Sequence, residues 1–214
     1  MKYVKNVLKQ YEKDGLAFQR YGRNKQDGLG DDILSGNSLS IIGLYQAIYG
    51  INPLYNRFYL NPHMTKELAG TQLKYNYRNQ RLTIDLDPNR YAVSTPRFKI
   101  RSKTDFGFFS SSNELLYFNG NTSKAALNVI TVKNSSLELE IKEWNSGVAS
   151  WTQSSKVATS NKLIYQLNEL NQHSFYTIMV NGKKLHRIKS NSVGSLVFEY
   201  KTTKSTDNII VLNQ

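Results

Sequence analysis

The sequence of 214 residues contains no cysteine, which excludes disulfide bonds and metal sites built on thiolates. It also lacks any continuous apolar stretch of the roughly 20 residues that a membrane-spanning helix needs. The opening residues, MKYVKNVLKQYEKDG, contain no apolar core typical of a secretion signal. As written, the chain is expected in the cytoplasm, although a longer parent protein is compatible with secretion or the periplasm, so the compartment stays undetermined.

Acidic residues are scarce: 16 Asp and Glu stand against 28 Lys and Arg, which gives a net charge of +12. Such an excess favours nucleic acid, an anionic surface or an acidic substrate as a partner. The basic residues are scattered, however, with no run of four. We therefore expect no nucleic-acid and no membrane partner, and keep salt-dependent binding of an anionic polymer as a lesser hypothesis.

Two segments near the N terminus have the apolar periodicity of helices. The first covers residues 2–14, and the second covers Ser38 to Tyr49. Gly50 suits the left-handed position that follows a helix, and Pro53 marks the stop. The apolar faces are formed by Val4, Val7, Leu8 and Tyr11 in the first segment and by Ile41, Leu44, Tyr45 and Ile48 in the second.

A polar loop of roughly twenty residues, from Leu16 to Asn37, separates the two predicted helices. Loops of this length in a compact domain are usually functional or disordered. Its glycines and its acidic residues favour a functional loop that holds carboxylates at the mouth of a pocket.

After Pro53 the apolar periodicity changes to two, which is typical of strands. Arg78-Asn79-Gln80 and Asn181-Gly182 predict tight hairpin turns, and Asn119-Gly120 predicts another turn. The fold class is therefore mainly β (α+β), with two N-terminal helices packed against an antiparallel β-sandwich. The predicted strands are 57–60, 72–77, 81–86, 91–93, 97–100, 114–118, 126–132, 137–144, 162–167, 175–180, 184–188, 195–200 and 209–212.

Trp144 and Trp151 flank the Asn145-Ser146-Gly147 turn. Exposed indole rings stack on sugar faces, so the segment WNSGVASW is a candidate carbohydrate platform with Trp151 as a binding residue. Packing of both rings in the core is the alternative, because Trp is usually mostly buried.

The three histidines, His63, His173 and His186, are far apart and match no metal-ligand spacing. The sequence contains no nucleophile elbow, phosphate-binding loop or zinc motif. We therefore predict no metal and no cofactor.

The run GDDILSGNSLSIIGLYQAIYGINPLYNRFYLNPHM, followed by LAGTQLKYNYRNQRLTIDL, resembles the closing segment of six-hairpin glycosidases. These glycoside hydrolases and phosphorylases are built on an (α/α)6 barrel. The matching motifs are Tyr49-Gly50-Ile51-Asn52-Pro53, Leu60-Asn61-Pro62 and the run from Leu73 to Arg78 with Ile84. The resemblance covers roughly residues 1–90 at the level of motifs, and a closing β-sandwich is also found in such enzymes.

The resemblance implies three parts: a helical segment over residues 1–53 similar to the end of the barrel, connecting strands and a hairpin over 54–90, and an antiparallel sandwich domain over 91–214. A barrel needs twelve helices, whereas this chain supplies two. We therefore expect the C-terminal portion of a glycoside hydrolase-like protein, inactive on its own. The alternative is a stand-alone carbohydrate-binding or protein-interaction module.

In this family the general acid usually lies in the middle of the barrel, which this chain lacks, while the late-barrel loop supplies the base or sugar contacts. The resemblance thus implies catalytic or sugar-contacting roles for Asp27, Asp31 and Asp32. The candidate substrate-binding residues are Gln19, Arg20, Arg23, Asn37 and Trp151.

The assignments in the loop have structural alternatives. Asp31 or Asp32 can be a carboxylate at the start of a helix, Arg20 and Arg23 can form surface ion pairs, and Asn37 can cap a helix.

The expected partner is an oligosaccharide or polysaccharide. The two predicted helices cannot bury their apolar faces against each other alone, so they must pack on the sandwich, on a second copy of the chain or on another partner. A homodimer through exposed helix faces is therefore also predicted.

Overall fold

The computed structural model describes residues 5, 6, 9, 12, 20, 21, 28, 29, 42, 43, 45–131, 136–155, 162–202 and 205–214. Over these residues the protein is mainly β, as predicted, with one short 3-10 helix at Lys66–Leu68. The strands are β1 (Arg20–Tyr21), β2 (Gly28–Leu29), β3 (Ile51–Pro53), β4 (Phe58–Leu60), β5 (Thr71–Tyr77), β6 (Gln80–Asp87), β7 (Arg90–Ser94), β8 (Phe98–Ser102), β9 (Phe106–Ser110), β10 (Glu114–Asn119), β11 (Leu127–Thr131), β12 (Leu137–Trp144), β13 (Val148–Ser154), β14 (Lys162–Leu167), β15 (Phe175–Val180), β16 (Lys183–Lys189), β17 (Leu196–Lys201) and β18 (Thr206–Asn213).

Two large sheets form the body of the protein. The seven-stranded sheet has the order β17-β14-β11-β10-β9-β4-β3, and the nine-stranded sheet has the order β16-β15-β18-β13-β12-β8-β7-β6-β5. Alternate residues of these strands face one shared apolar core. In β6, for example, Leu82, Ile84 and Leu86 are buried, whereas the residues between them are at least partly exposed.

Aromatic contacts join the two sheets through this core. Phe58 of the seven-stranded sheet lies 5.3 Å from Tyr75 of the nine-stranded sheet, measured between ring centroids. Further along, Tyr165 of the seven-stranded sheet lies 5.7 Å from Trp151 of the nine-stranded sheet. The two sheets therefore face each other as a sandwich, stabilised mainly by removal of apolar surface from water.

The hairpin predictions are confirmed at both tight turns. Arg78 and Asn79 have φ angles of 48° and 60°, and Asn181 and Gly182 have φ angles of 52° and 77°. Positive φ at both central residues is the signature of the type I′ turn, whose twist matches that of the strands it joins. In the first hairpin, Leu73 pairs with Ile84 and Tyr75 with Leu82.

The prediction of a wholly antiparallel sandwich needs one correction. β12 pairs with β8 in parallel, with Leu137 opposite Phe98 and Glu140 opposite Arg101, so the nine-stranded sheet is mixed. A parallel neighbour requires a long crossover. Here the chain leaves β8, builds β9, β10 and β11 in the opposite sheet, and returns to lie beside β8 in the same direction.

Three strands of the two large sheets were not predicted. β9 reads FGFFS and is almost continuously buried, so it lacks the alternation that reveals a half-exposed strand. β13 begins inside the segment interpreted as a loop, because its small and polar residues hide the alternation of buried Ala149, Trp151 and Gln153. β3 has only three residues and carries a proline.

The predicted helices fall largely outside the described residues. Where they are described, Lys5, Asn6, Lys9 and Glu12 are helical, as are Ile42, Gly43 and the stretch 45–47. The predicted loop between them contains a two-stranded ladder that pairs Arg20 with Leu29 and Tyr21 with Gly28. In the described part of the chain, no helix is long and apolar enough to cross a membrane.

Residues 51–90 supply strands to both sheets. β3 and β4 extend the seven-stranded sheet, and β5 and β6 form one end of the nine-stranded sheet. The boundary predicted between residues 90 and 91 therefore falls within one continuous sheet, at the start of β7 beside β6.

Gly50 shows why the chain turns so sharply before β3. Its φ is +61°, as its predicted position after a helix requires, and a Cβ atom built on it would lie 1.8 Å from the backbone oxygen of Asn61. The turn is closed by hydrogen bonds from the Asn61 N–H to the Gly50 carbonyl and from the His63 N–H to the Ile48 carbonyl. Glycine is therefore required here by both conformation and space.

We predict that Gly50→Ala destabilises the protein by more than about 3 kcal/mol, because backbone atoms on both sides must move. Gly182→Ala is the matched control, since Gly182 also has positive φ but has open space around it. The control should cost only about 1–2 kcal/mol. Chemical denaturation of the two variants measures the difference, and equal costs would contradict the steric argument.

Candidate functional site

Most of the site residues predicted from the sequence lie outside the described residues. These are Gln19, Arg23, Asp27, Asp31, Asp32 and Asn37. Of Arg20, the structure describes the backbone, which pairs with Leu29. The late-barrel site implied by the resemblance therefore stays a prediction.

Trp151 is described, and it lies in the core. Its side chain is 1% exposed, with the ring centroids of Trp144 and Tyr165 6.2 Å and 5.7 Å away. A ring enclosed in this way presents no face to a ligand. The core-packing alternative thus describes Trp151, and in this conformation the residue cannot act as a sugar platform.

The most suggestive cleft lies at one end of the sandwich, where Trp144 ends β12. Because β8 and β12 are parallel, their last residues, Ser102 and Trp144, reach the same end of the nine-stranded sheet. The end of β10 meets them from the opposite sheet. The resulting cavity has a volume of about 470 Å³. We call it the Trp144 cleft, lined by Ser102, Lys103, Thr104, Asp105, Tyr117, Asn119, Gly120, Ile141, Lys142, Glu143 and Trp144.

Aromatic rings contribute to the wall of the Trp144 cleft. The Tyr117 ring is 1% exposed and lies 5.4 Å from the half-buried Trp144 ring, between centroids. The Trp144 indole N–H is buried and has no hydrogen-bond partner within the described part of the protein. The Trp151 indole N–H is likewise buried without a partner among the described residues, so this feature belongs to the packing of the core and does not by itself indicate a ligand.

Carboxylate and amide groups surround these rings. Burial raises the pKa of Asp105 above its ordinary value of 3.8, and the nearby His63 offsets part of that rise. Burial also raises the pKa of Tyr117, with a further contribution from the charge of Glu169 and a small opposing effect of its hydrogen bond with Thr104. The Tyr117 hydroxyl stays protonated at neutral pH and lies 3.3 Å from the Asn119 amide oxygen. Displaced carboxyl pKa values in a cleft are typical of functional sites.

The turn after Trp144 is held by its own hydrogen bonds. The Asn145 side-chain oxygen accepts hydrogen bonds from the backbone N–H groups of Gly147 at 2.9 Å and Val148 at 2.8 Å. The Asn145 amide donates to a Glu143 carboxylate oxygen at 3.0 Å, and the Tyr176 hydroxyl donates to the Ser146 carbonyl. Glu143 and Trp144 are thereby positioned before any ligand binds, which lowers the entropic cost of binding.

A partly exposed ring edged by carboxylate, amide and hydroxyl groups matches a polyhydroxylated ligand better than an apolar one. Among the described residues, no group of three His, Cys, Asp or Glu side chains is placed to hold a metal ion. Sequence reasoning identified Trp144 through its turn but missed Asp105, Asn119 and Glu143. The Lys103-Thr104-Asp105 segment between two strands was the available signal.

The chain matches no protein-family model, and searches of curated proteins and of solved structures return no significant match. The resemblance to six-hairpin glycosidases therefore depends on the motifs in the sequence alone.

Asp105 and Asp85 should respond to pH with opposite signs. Burial alone would raise the pKa of Asp85, but hydrogen bonds from Gln72 and Lys99 and the charges of Lys99 and Arg101 outweigh it and lower that pKa. A lowered folded-state pKa means that ionised Asp85 stabilises the fold at neutral pH. A raised folded-state pKa means that ionised Asp105 opposes folding there.

We therefore predict that Asp105→Asn stabilises the protein at pH 7 and Asp85→Asn destabilises it, each by roughly 1 kcal/mol or less because both groups are partly solvated. The gain from Asp105→Asn should vanish as the pH falls through the raised pKa towards 3.8. The loss from Asp85→Asn should vanish as the pH falls from 3.8 through the lowered pKa. Denaturation curves across this range measure both differences, and shifts of the same sign would contradict the assignment.

Proposed function

We propose that the chain is a saccharide-binding β-sandwich module, the C-terminal portion of a glycoside hydrolase-like protein, which binds its ligand in the Trp144 cleft. The observation that carries the proposal is the combination of the half-buried Trp144 ring with carboxylate, amide and hydroxyl groups at one open end of the sandwich. The motif resemblance of residues 1–90 to six-hairpin glycosidases supports the same class of ligand.

The chemistry of a sugar fits each part of this cleft. The C–H face of a pyranose ring packs on the accessible part of the Trp144 indole, and its hydroxyls are both donors and acceptors. The carboxyl oxygens of Asp105 and Glu143 accept hydrogen bonds from hydroxyls, and the Asn119 amide can donate or accept. Hydrogen bonds to a charged acceptor are the stronger ones, so the carboxylates fix the orientation of the sugar.

We also propose that the two predicted N-terminal helices pack on this sandwich. Two contacts support it. The Tyr45 ring lies 6.5 Å from the Tyr75 ring of β5, and the Lys5 Nζ atom lies 3.6 Å from an Oε atom of Glu67 in the 3-10 helix. In this arrangement the helical segment lies against the β5 end of the nine-stranded sheet.

Binding can be followed with Trp144 itself, because the chain contains two tryptophans. In a Trp151→Phe background, Trp144 is the sole tryptophan. We predict a saturable change in its fluorescence on titration with at least one member of a panel of neutral oligosaccharides. Asp105→Ala should weaken that binding roughly tenfold or more, because one charge-assisted hydrogen bond is lost.

Asp87→Ala is the control for the binding experiment, because Asp87 lies on β6, away from the Trp144 cleft, where it accepts a hydrogen bond from the Gly70 N–H. It should leave saccharide affinity unchanged. No response across the panel, or equal affinities of the Asp105→Ala and parent proteins, would refute the proposal.

We predict that the isolated chain hydrolyses no oligosaccharide, because direct displacement at a glycosidic bond needs an acid and a base on opposite sides of that bond. The resemblance assigns the acid to a part of the barrel that this chain lacks. Release of reducing ends measures the activity. Turnover that disappears in Asp31→Asn, Asp32→Asn or Asp27→Asn would show that the chain is an enzyme by itself.

A further inference from the structure

The edge strand β16 is the most basic element of the described protein. It reads KKLHRIK and ends the nine-stranded sheet, where its one neighbour is β15. Its side chains Lys183, Lys184, His186, Arg187 and Lys189 are all exposed, whereas Leu185 and Ile188 pack towards the core. Seven residues in a strand span roughly 20 Å, so four permanent positive charges lie along one short line.

The cations of β16 differ from four paired cations elsewhere in the two sheets. There, Lys99 pairs with Asp85 at 3.1 Å and Arg101 with Glu138 at 3.5 Å. Likewise, Lys142 pairs with Glu140 and Lys162 with Glu199, both at 2.7 Å. Within the described ranges, no ion pair involves a residue of β16.

Neighbouring strands supply no neutralising charge to this edge. β15 contains no acidic residue, and β18, the next strand, contains only Asp207. Asp207 is 1% exposed, and its carboxylate accepts hydrogen bonds from Asn181 and Tyr200. The strands beside β16 therefore add no exposed acidic side chain to this edge.

Two contacts within the protein fix the position of the Arg187 side chain. Its guanidinium lies 4.2 Å from the centre of the Phe175 ring, and its Nε donates to the Gln214 side-chain oxygen at 2.6 Å. Among the hydrogen bonds of the described residues, neither Nη atom of Arg187 takes part. A guanidinium fixed through Nε keeps its two Nη groups for a carboxylate or sulfate oxygen.

We propose that β16 is a binding site for an anionic polysaccharide, one that carries carboxylate or sulfate groups. The choice of a polysaccharide rests in part on the saccharide-binding function proposed for the Trp144 cleft. It also rests on the aromatic content of the edge: Phe175 is 42% exposed, but Arg187 already covers its ring. Single-stranded nucleic acids are bound through several open aromatic rings that stack on bases, and this edge offers none.

The test compares two triple variants with the same change of charge. Lys184→Gln/Arg187→Gln/Lys189→Gln removes three cations from β16. The control, Lys66→Gln/Lys74→Gln/Arg81→Gln, removes three exposed cations near β5, which is the other edge of the same sheet. Binding is measured on the full chain with heparin and polygalacturonate, with dextran as a neutral polymer and with single-stranded DNA, between about 50 and 200 mM salt.

The parent chain and the control should bind heparin or polygalacturonate more tightly than DNA, and the response to neutral dextran should be the same in the parent chain and the β16 variant. The β16 variant should lose about tenfold or more in affinity, and the slope of log affinity against log salt should fall by about two. Tighter binding of DNA would overturn the choice of ligand. Absence of polyanion binding, or equal losses of affinity in both variants, would refute the β16 site. The lysines of β16 would then serve only to prevent edge-to-edge pairing with strands of other chains.

This outcome is separable from that of the cleft. Asp105→Ala leaves β16 intact, so it should not affect binding of heparin. The β16 variant leaves the Trp144 cleft intact, so neutral oligosaccharides should still change the Trp144 fluorescence. Each site therefore succeeds or fails by its own measurement.

Discussion

The packing of aromatic rings between the two sheets is the interaction on which this structure depends. A series of rings runs through the core, with successive centroids 4.7 to 6.3 Å apart. Its members are Phe106, Tyr117, Trp144, Trp151, Tyr165 and Phe198. The Tyr117–Trp144 and Trp151–Tyr165 contacts cross from one sheet to the other. Because the chain contains no cysteine, no disulfide bond joins the sheets, and burial of these rings stabilises their association.

The Trp144 cleft depends on the same packing of aromatic rings. Trp144 belongs to the series of rings and also to the wall of the cleft. The position of the ring is therefore fixed by the core rather than by a flexible loop. A site built on rigid elements keeps its geometry in the absence of ligand, which lowers the entropic cost of binding.

The sequence was sufficient for elements whose chemistry is local. The type I′ turns at Arg78-Asn79 and Asn181-Gly182 need residues that tolerate positive φ, and the strands beside them alternate clearly. It was insufficient where burial on all sides or small residues concealed the alternation, as in β9 and β13. The parallel pairing of β8 and β12 and the meeting of Asp105 with Trp144 depend on contacts between distant residues, which no local pattern encodes. The clustering of positive charge on β16 is a local pattern, but it was missed because a search for a run of four basic residues overlooks KKLHRIK.

The parallel pairing of β8 with β12 has a consequence for any attempt to dissect the protein. Strands β5 to β8 and strands β12, β13, β15, β16 and β18 are two halves of one sheet, and their only common seam is this pair. A cut anywhere between residues 102 and 137 would expose two unsatisfied ladders on each fragment, because it also separates β3 and β4 from β14 and β17 in the seven-stranded sheet, and such edges recruit other chains. A truncation or domain fusion that preserves both sheets must therefore keep residues 51–214 together, although the two halves of the nine-stranded sheet come from separate parts of the sequence.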